Sequence, residues 1–347
     1  MYSQNYSLNS QLKIWMITLL LMIVLIILVG GLTRLTDSGL SITTWELFVG
    51  ILPPLTGDKW IEYFDLYKTI PEFKEQNFNM TLNEFKIIFW WEWAHRQLGR
   101  LIGLTVLLPM IYFTIKNGFW ILREYSIIFF LVCFQGFVGW YMVSSGLIDR
   151  VDVSHYRLSL HLVTAFIILS IVFWKYLNLT NVKIDQINIK LNSVKFFLLL
   201  LFLQLIIGAF VSGMDAGKIY NTWPLMGSSY FPDDSMISDF FSFKVFDDQS
   251  LVQFIHRNLA YLIVILYFYI LYLVLKNGNI NLRTPIFIIG ISLLFQICLG
   301  ILTILSGVKM LYASLHQINS ILIILSTLYF LYITTVSYTH LTLPTSR

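Results

Sequence analysis

The sequence predicts an all-α integral membrane protein with eight transmembrane helices, arranged as two repeated four-helix bundles. Three observations lead to this prediction: the composition, the number of long apolar runs and an internal repeat. Of the 347 residues, 57% are hydrophobic and only 12% are charged, whereas soluble domains contain about 25% charged residues. A chain with so few charges does not form an ordinary water-soluble globule.

Eight apolar runs are long enough to cross a membrane, because a hydrocarbon core of about 30 Å requires roughly 20 helical residues. They cover residues 14–32, 97–115, 125–145, 158–177, 195–213, 254–275, 285–305 and 312–333. The first run follows Lys13, but it is too long for a secretory signal and lacks a small-residue cleavage site. We therefore expect it to remain as the first membrane helix.

The loops predict the orientation of the chain. Those after the second, fourth and sixth runs are basic, whereas the loop before the sixth run is acidic (FPDDSMISDF, KVFDDQS). By the positive-inside rule, both termini lie in the cytoplasm. The net charge of +4 follows from these loops and gives no reason to invoke a nucleic-acid partner. Because the start lacks an Arg-rich amphipathic transit segment, we expect a bacterial inner membrane rather than a mitochondrial one.

The third observation, which predicts the two bundles, is an internal repeat. The stretch GGLTRLTDSGLSITTW (30–45) matches GAFVSGMDAGKIYNTW (208–223), and FQGFVGWYMVSSG in the third run matches FQICLGILTILSG in the seventh. Four helices per repeat return the chain to the same side, so the bundles should be related by a pseudo-two-fold axis along the membrane normal. We expect bundles at 1–190 and 191–336, and a polar tail at 337–347 that reads as foreign to the native protein.

Small and polar residues within the repeat have structural interpretations. Asp37 and Asp215 are equivalent. A catalytic role is the alternative, but their symmetric placement favours a turn or cap where the chain leaves the membrane. Gly136 and Gly139 are predicted to be close-packing positions between helices. The two cysteines, Cys133 and Cys298, lie inside apolar runs, so no structural disulfide is expected.

Four histidines fall in repeat register. AHRQLGR (94–100) pairs with IHRNLAY (255–261), and YRLSLHLVTA (156–165) pairs with LYASLHQINS (311–320). The pairings align His95 with His256 and His161 with His316. Histidine in a spanning helix is rare and usually faces the bundle interior. In the predicted topology all four lie near the outer face.

Two opposed imidazoles at one depth suit a six-coordinate haem iron. Zinc would usually require a third or fourth ligand, and neither bundle offers a matching repeated set. The remaining alternative is that each histidine is an interhelical hydrogen-bond donor or an interfacial residue. His155 and His340 have no repeat partner, and we assign them no ligand role.

At this point the motifs indicate a family. VGGLTRLTDSGLSITTW, FWWEWAHRQLGR, YRLSLHLVTA, NTWPLMG and QFIHRNLAY resemble those of haem A synthases, specifically the long-loop type of alphaproteobacteria and mitochondria, over nearly the whole chain. The resemblance implies that all four histidines bind iron. His256 and His316 would hold a haem b cofactor, and His95 and His161 would lie in the half that handles the substrate haem.

The resemblance also implies a reaction. One methyl group of haem O is oxidised through a hydroxymethyl stage and a geminal diol, which loses water to leave the formyl group of haem A for cytochrome oxidase. The implied partners are haem O, a haem O synthase, an electron acceptor in the membrane and the surrounding lipid, and oligomerisation is compatible with them. The cysteine pair of shorter members is absent here, which removes any thiol-relay argument.

Cations at the outer boundary are candidates for binding haem propionates. They are Arg34, Arg96, Arg157 and Arg257. The alternative is that they anchor the protein at the membrane interface. Arg96 and Arg257 are favoured because each is repeated beside a histidine.

Glu92 is the predicted catalytic residue. It stands three residues before His95, whereas Gln253 stands three residues before His256. Residues at i and i+3 share a helix face, and in the resemblance the matching glutamate belongs to the active site. We expect it to stabilise positive charge at the methyl carbon or to accept a proton. The alternative is that Glu92 merely favours the first turn of a helix.

A second class of function stays open at this point. A bis-histidine dihaem b-type subunit would carry electrons between a quinol and a partner. Such carriers usually place haems near both membrane faces, whereas here all four histidines are predicted on one side. A transporter is less favoured, because no helices show the paired Gly/Pro interruptions of a broken-helix substrate site.

Overall fold

The computed structural model describes residues 2–45, 49–180, 191–278 and 280–342, and in these ranges the long regular elements are all helical. The α-helices are α1 Tyr2–Leu35, α2 Gly57–Tyr67, α3 Pro71–Glu75, α4 Leu82–Asn117, α5 Trp120–Val143, α6 His155–Leu179, α7 Leu191–Gly213, α8 Gln249–Lys276, α9 Ile280–Leu305 and α10 Met310–Thr342. Within the described residues, eight of them are long and apolar enough to span a membrane. The predicted all-α class with eight spans is confirmed.

Two compact units make up the chain. The unit that we call the first is Thr18–Leu169, and the second combines Met1–Ile17 with Ser170–Arg347. The predicted bundle boundary at 190 falls in 181–190, outside the described residues, as do residues 343–347 of the predicted tail. The division into bundles at 1–190 and 191–336 and their pseudo-two-fold relation therefore stay predictions.

Helix α4 is much longer than the apolar run that predicted it. A capping box starts it: Glu84 Oε2 accepts from the Thr81 N–H at 2.8 Å, and the Glu84 N–H donates to Thr81 Oγ1 at 3.4 Å. Its 36 residues correspond to about 54 Å of helix, more than a hydrocarbon core of about 30 Å. Glu92 therefore stands well inside α4, which excludes the first-turn interpretation of this residue.

Described residues between α1 and α4 fold onto the N-terminal part of α4. We call the apolar core formed there the α2 cluster, in which residues of α2 and its flanks pack against α4 and the chain after α1. Its buried members are Leu40, Ile42, Phe64, Tyr67, Ile70, Phe85, Ile88, Phe89 and Val153. Aromatic rings pack edge to face here, with the Trp60 and Phe89 centroids 4.9 Å apart. Burial of this cluster fixes residues 40–42 against α4.

The repeated aspartates are turn residues. Asp37 follows α1 with φ 47°, and Asp215 follows α7 with φ 53°; Asp tolerates this left-handed region better than most residues do. Each also pairs with a nearby cation: Arg34 Nη1 lies 2.7 Å from Asp37, and Lys218 Nζ lies 3.2 Å from Asp215. The geometry agrees with the predicted turn role.

A buried carboxyl group lies in α3, next to the α2 cluster. Glu72 is 3% exposed, and its Oε1 accepts from the Tyr67 hydroxyl at 3.1 Å and from Asn77 Nδ2 at 3.4 Å. Burial raises the pKa of Glu72 from 4.5 to about 8, with the Tyr67 hydrogen bond opposing this and nearby carboxylates, including Asp37 and Glu92, adding to it. Glu72 is therefore mainly protonated at neutral pH.

The raised pKa of Glu72 predicts that the local stability of α2 and α3 depends on pH. A carboxyl whose folded pKa is raised stabilises the fold fully below 4.5, and that contribution is lost as the pH rises through about 8. We expect hydrogen-exchange protection of α2 and α3, corrected for intrinsic rates, to fall at least about tenfold between pH 6 and pH 9. Glu72→Gln should remove the dependence, whereas Glu75→Gln, at an exposed site in the same helix, should retain it. Equal protection of the unmodified protein at both pH values would contradict this.

Candidate functional site

The structure brings the four predicted histidines together in two pairs. His95 of α4 and His161 of α6 have ring centroids 6.3 Å apart, and His256 of α8 and His316 of α10 have centroids 6.4 Å apart. Metal–imidazole nitrogen bonds are roughly 2 Å long, so two rings on opposite sides of one ion have centroids about 6 Å apart. Each pair therefore has the separation that a bis-histidine iron requires. Within the described part of the chain, no group of three or more His, Cys, Asp or Glu could hold a metal ion.

A glycine of a neighbouring helix faces each histidine ring. In every case a Cβ added to the glycine would lie within about van der Waals contact of the ring Cε1, or closer. The distances would be 2.8 Å for Gly30 and His95, 3.0 Å for Gly139 and His161, 3.2 Å for Gly208 and His256, and 3.0 Å for Gly300 and His316. These glycines make room for imidazoles rather than for backbone. Gly136, by contrast, would meet nothing within 4 Å.

This geometry predicts an effect of one methyl group. In Gly139→Ala the added Cβ would force the His161 ring to shift, and overpacking of this kind costs about 1–3 kcal/mol. We expect an absorbance titration of the purified protein with haem to show that the affinity of the His95–His161 pair is lowered about tenfold or more. Gly136→Ala, on the same helix, is the matched control and should bind like the unmodified protein. If the two variants bound haem equally well, the role of Gly139 would be wrong.

Three of the four histidines lie beside a glutamine, which sequence reasoning did not single out as a site residue. The pairs are Gln135 with His161, Gln204 with His256, and Gln296 with His316. Gln135 and Gln296 are equivalent in the repeat, a signal that could have identified them. His95 differs, because its Nδ1 is buried and has no hydrogen-bond partner among the described residues.

Glu92 is almost completely buried, at 3% exposure, and both of its carboxylate oxygens accept hydrogen bonds. Oε2 accepts from Ser41 Oγ at 2.7 Å and from the Ile42 N–H at 2.8 Å. Oε1 accepts from Arg96 Nε at 3.0 Å and Nη2 at 2.5 Å. Glu92 thus joins α4, three residues before His95, to the chain that follows α1.

Arg96 completes this attachment. It donates from Nη2 to the Ile42 carbonyl at 2.8 Å and from Nη1 to the Thr44 carbonyl at 3.1 Å. Its guanidinium also lies 5.4 Å from the centre of the Trp45 ring. We call these contacts of Glu92 and Arg96 with residues 41–45 the carboxylate clasp.

The second unit has an equivalent arrangement with an amide in place of the carboxylate. Gln253 Nε2 donates to the Tyr220 carbonyl at 3.1 Å. Arg257, 8% exposed, donates from Nη2 to the same carbonyl at 3.1 Å and from Nη1 to the Leu225 carbonyl at 3.3 Å. The Glu92–Gln253 difference noted in the sequence therefore distinguishes an ion pair in one unit from a neutral contact in the other.

The other predicted site residues lie near these elements. Arg157 donates to the Tyr141 carbonyl at 2.7 Å and stacks 3.8 Å from the centre of that ring. Arg34 pairs with Asp37, as described above. His155, with no ligand role predicted, begins α6 and packs on Tyr156. Cys133 and Cys298 are both free, as predicted.

Eight apolar helices and two opposed histidine pairs are features of polytopic membrane proteins that bind haem. The chain belongs to the COX15-CtaA family, whose description is cytochrome oxidase assembly protein and whose family model matches residues 13–328. This confirms the resemblance found in the motifs.

Similar proteins agree with this assignment. The Heme A synthase of Pelagibacter ubique is 49% identical over 332 residues, which cover 95% of this chain and 98% of that protein. The Heme A synthase of Rickettsia bellii is 43% identical over 89% of this chain and 94% of its own length. That of Flavobacterium psychrophilum is 40% identical over 93% of this chain and 98% of its own length.

Proposed function

We propose that this protein is a haem A synthase, an oxidoreductase that converts a methyl group of haem O into the formyl group of haem A. The observation that carries the proposal is the pair of opposed histidine sites in a chain whose relatives, over nearly its whole length, are named Heme A synthase. Those relatives give no support to the alternative of a dihaem b-type electron carrier.

The two histidine pairs divide the work in this proposal. His256 and His316 hold a haem b cofactor, which when bound supplies a one-electron redox centre. His95 and His161 bind the substrate haem O through its iron and thereby fix the position of its ring edge. Both pairs lie in apolar helices that a farnesylated substrate can approach laterally from the lipid.

Glu92 is proposed as the catalytic group beside the substrate. Its carboxylate is held in place by Ser41, Ile42 and Arg96, so it does not have to reorganise when charge develops. A fixed carboxylate can stabilise positive charge at the reacting methyl carbon, and it can accept a proton from the oxygen nucleophile. Gln253 cannot provide either effect in the other unit.

The surroundings follow from the same reaction. Conversion of a methyl group to a formyl group is a four-electron oxidation, so we propose an electron acceptor in the membrane and a haem O synthase as supplier. We place the protein in the bacterial inner membrane with the histidine pairs near the outer face. Arg34, Arg96, Arg157 and Arg257 are proposed to bind haem propionates at that boundary.

The test is a pigment extraction. The protein is expressed in cells that make haem O but not haem A, and the haems from membranes and from the purified protein are separated by chromatography. We expect haem A in the membranes and haem B in the purified protein. Haem B without any haem A, despite available haem O, would favour the electron carrier and contradict the proposal.

A further inference from the structure

We infer that Gln204 and Asn319 are positioning residues that hold the histidine pair of the second unit in its ligating geometry. Ile26 and Thr164 stand at the equivalent positions of the repeat. Ile26 offers His95 no hydrogen bond, and Thr164 does not anchor Gln135, the neighbour of His161, as Asn319 anchors Gln296. The second site therefore retains its haem, while the first site exchanges haem. This inference rests on the proposed function, in which one haem is a resident cofactor and the other is substrate and product.

The first observation concerns α1 and α7. Ile26 and Gln204 each stand four residues before the glycine that faces a histidine, so they are equivalent in the repeat. Gln204 Nε2 lies 3.2 Å from Nδ1 and 3.3 Å from Nε2 of His256, and it donates to the His256 carbonyl at 3.0 Å. One amide thus contacts both the ring and the backbone of this histidine.

Ile26 offers no polar atom to His95. Its Cδ1 would lie 3.8 Å from a Cβ added at Gly99, one turn along α4 from His95. Among the described residues no group hydrogen-bonds the buried Nδ1 of His95. Among the described residues, the His95 ring is therefore held by packing rather than by a hydrogen bond to Nδ1, and Gly30 faces it.

The second observation concerns α6 and α10, and it is independent of the first. Asn319 stands three residues after His316, and its Nδ2 donates to Gln296 Oε1 at 2.8 Å and to the Ser292 carbonyl at 2.8 Å. The first of these bonds orients the Gln296 amide so that its nitrogen faces His316, 3.3 Å from Nε2. The Gln296 carbonyl also lies 3.0 Å from His316 Nδ1.

Thr164 takes the place of Asn319 in the first unit, three residues after His161. Its hydroxyl donates to the Leu160 carbonyl of its own helix at 2.7 Å. Gln135 Nε2 donates to the His161 carbonyl at 2.9 Å, as Gln204 does to that of His256. Within the described part of the chain, however, Gln135 Oε1 is buried without a hydrogen-bond partner, so it lacks the contact that Asn319 gives to Gln296.

Both differences act in the same direction. Residues that hydrogen-bond a ligating histidine fix its ring orientation, and their loss typically lowers metal affinity 10–100-fold. In the second unit both histidines have such partners, and one partner is itself anchored. Among the described residues of the first unit, His95 has no such partner, and Gln135, the partner of His161, is held by the His161 carbonyl but by no further side chain. Haem A, the proposed product, must leave the protein, so its site requires the more weakly held histidine pair, which is that of the first unit.

The experiment measures haem release rather than turnover. The full-length protein, purified in detergent with its haem b, is mixed with excess apomyoglobin, and transfer of haem is followed by absorbance. Gln204→Ile and Asn319→Thr, which import the residues of the first unit, should each release haem b about tenfold faster. The reduction potential of haem b should shift as well, because the contacts of its ligands change. Leu199→Ile, at a lipid-exposed site on α7, is the control and should change neither quantity.

A reciprocal variant tests the first site. Ile26→Gln gives His95 a polar neighbour, so haem added to the first pair should be released more slowly than from the unmodified protein. Release of haem b at the unmodified rate from both Gln204→Ile and Asn319→Thr would overturn the inference and leave the proposed function intact. An unmodified protein that bound no haem through His256 and His316 would instead overturn the proposed function.

Discussion

Replacing either His256 or His316 with alanine is expected to remove the low-spin bis-histidine haem spectrum of the second pair completely. A six-coordinate iron requires both imidazoles, and their ring centroids lie 6.4 Å apart, the separation expected of two imidazoles bound to one ion. Loss of one ring leaves no second strong-field ligand at that position. Electron paramagnetic resonance and absorbance of the purified variants measure the change, and the spectrum of haem bound at the first pair should survive.

The control for this experiment is His155→Asn, which alters a histidine outside both pairs. It should keep both spectra, since His155 packs on Tyr156 at the start of α6. A His256→Ala protein that purified with an unaltered bis-histidine spectrum from the second pair would show that the ligand assignment is wrong.

Membranes containing the Glu92→Gln variant are expected to accumulate haem O and to contain at least about a hundredfold less haem A. Removal of one preorganised electrostatic group at an active site typically costs this much in rate. The substitution makes the first unit resemble the second, where Gln253 occupies the equivalent position. Haem b bound by His256 and His316 should be retained, because the change lies in the other unit. Chromatography of extracted haems measures the outcome.

The carboxylate clasp requires a second comparison, because Glu92 also holds residues 41–45. Ser41→Ala removes the 2.7 Å hydrogen bond to Glu92 but keeps the carboxylate, and we expect it to retain most haem A formation. Gln253→Glu alters the equivalent residue of the second unit, and we expect membranes containing this variant to retain haem A as well. Unchanged haem A from Glu92→Gln would exclude the catalytic role. Equal losses of haem A from Ser41→Ala and Glu92→Gln would show that Glu92 only holds residues 41–45 in place.

Much of the architecture was predictable because membrane spans are recorded in composition and length. Each of the eight apolar runs corresponds to a long helix. The repeat then predicted which histidines would pair, since equal spacing along equivalent helices places residues at the same depth. The close agreement between the 6.3 Å and 6.4 Å pairs reflects that equivalence.

Other features depend on contacts between distant residues, which leave no local pattern. The start of α4 at Leu82 is set by the Thr81 cap and by packing of the α2 cluster, neither of which hydropathy reports. The carboxylate clasp links Ile42 to Glu92, which are 50 residues apart in the chain. The contact of Gln204 with His256 occurs where the repeat is broken, so matching the two halves did not reveal it.

The glycine that faces each histidine restricts which amino-acid substitutions this family accepts. A methyl group is the smallest side-chain addition. At Gly30 it would displace the His95 ring, because an added Cβ would lie 2.8 Å from the Cε1 atom of that ring. Gly30 and Gly208 should therefore be as intolerant of substitution as the histidines they face. In relatives that have abandoned one haem site, we expect the glycine and its histidine to be replaced together. Such paired losses would identify the site that was lost from sequence alone.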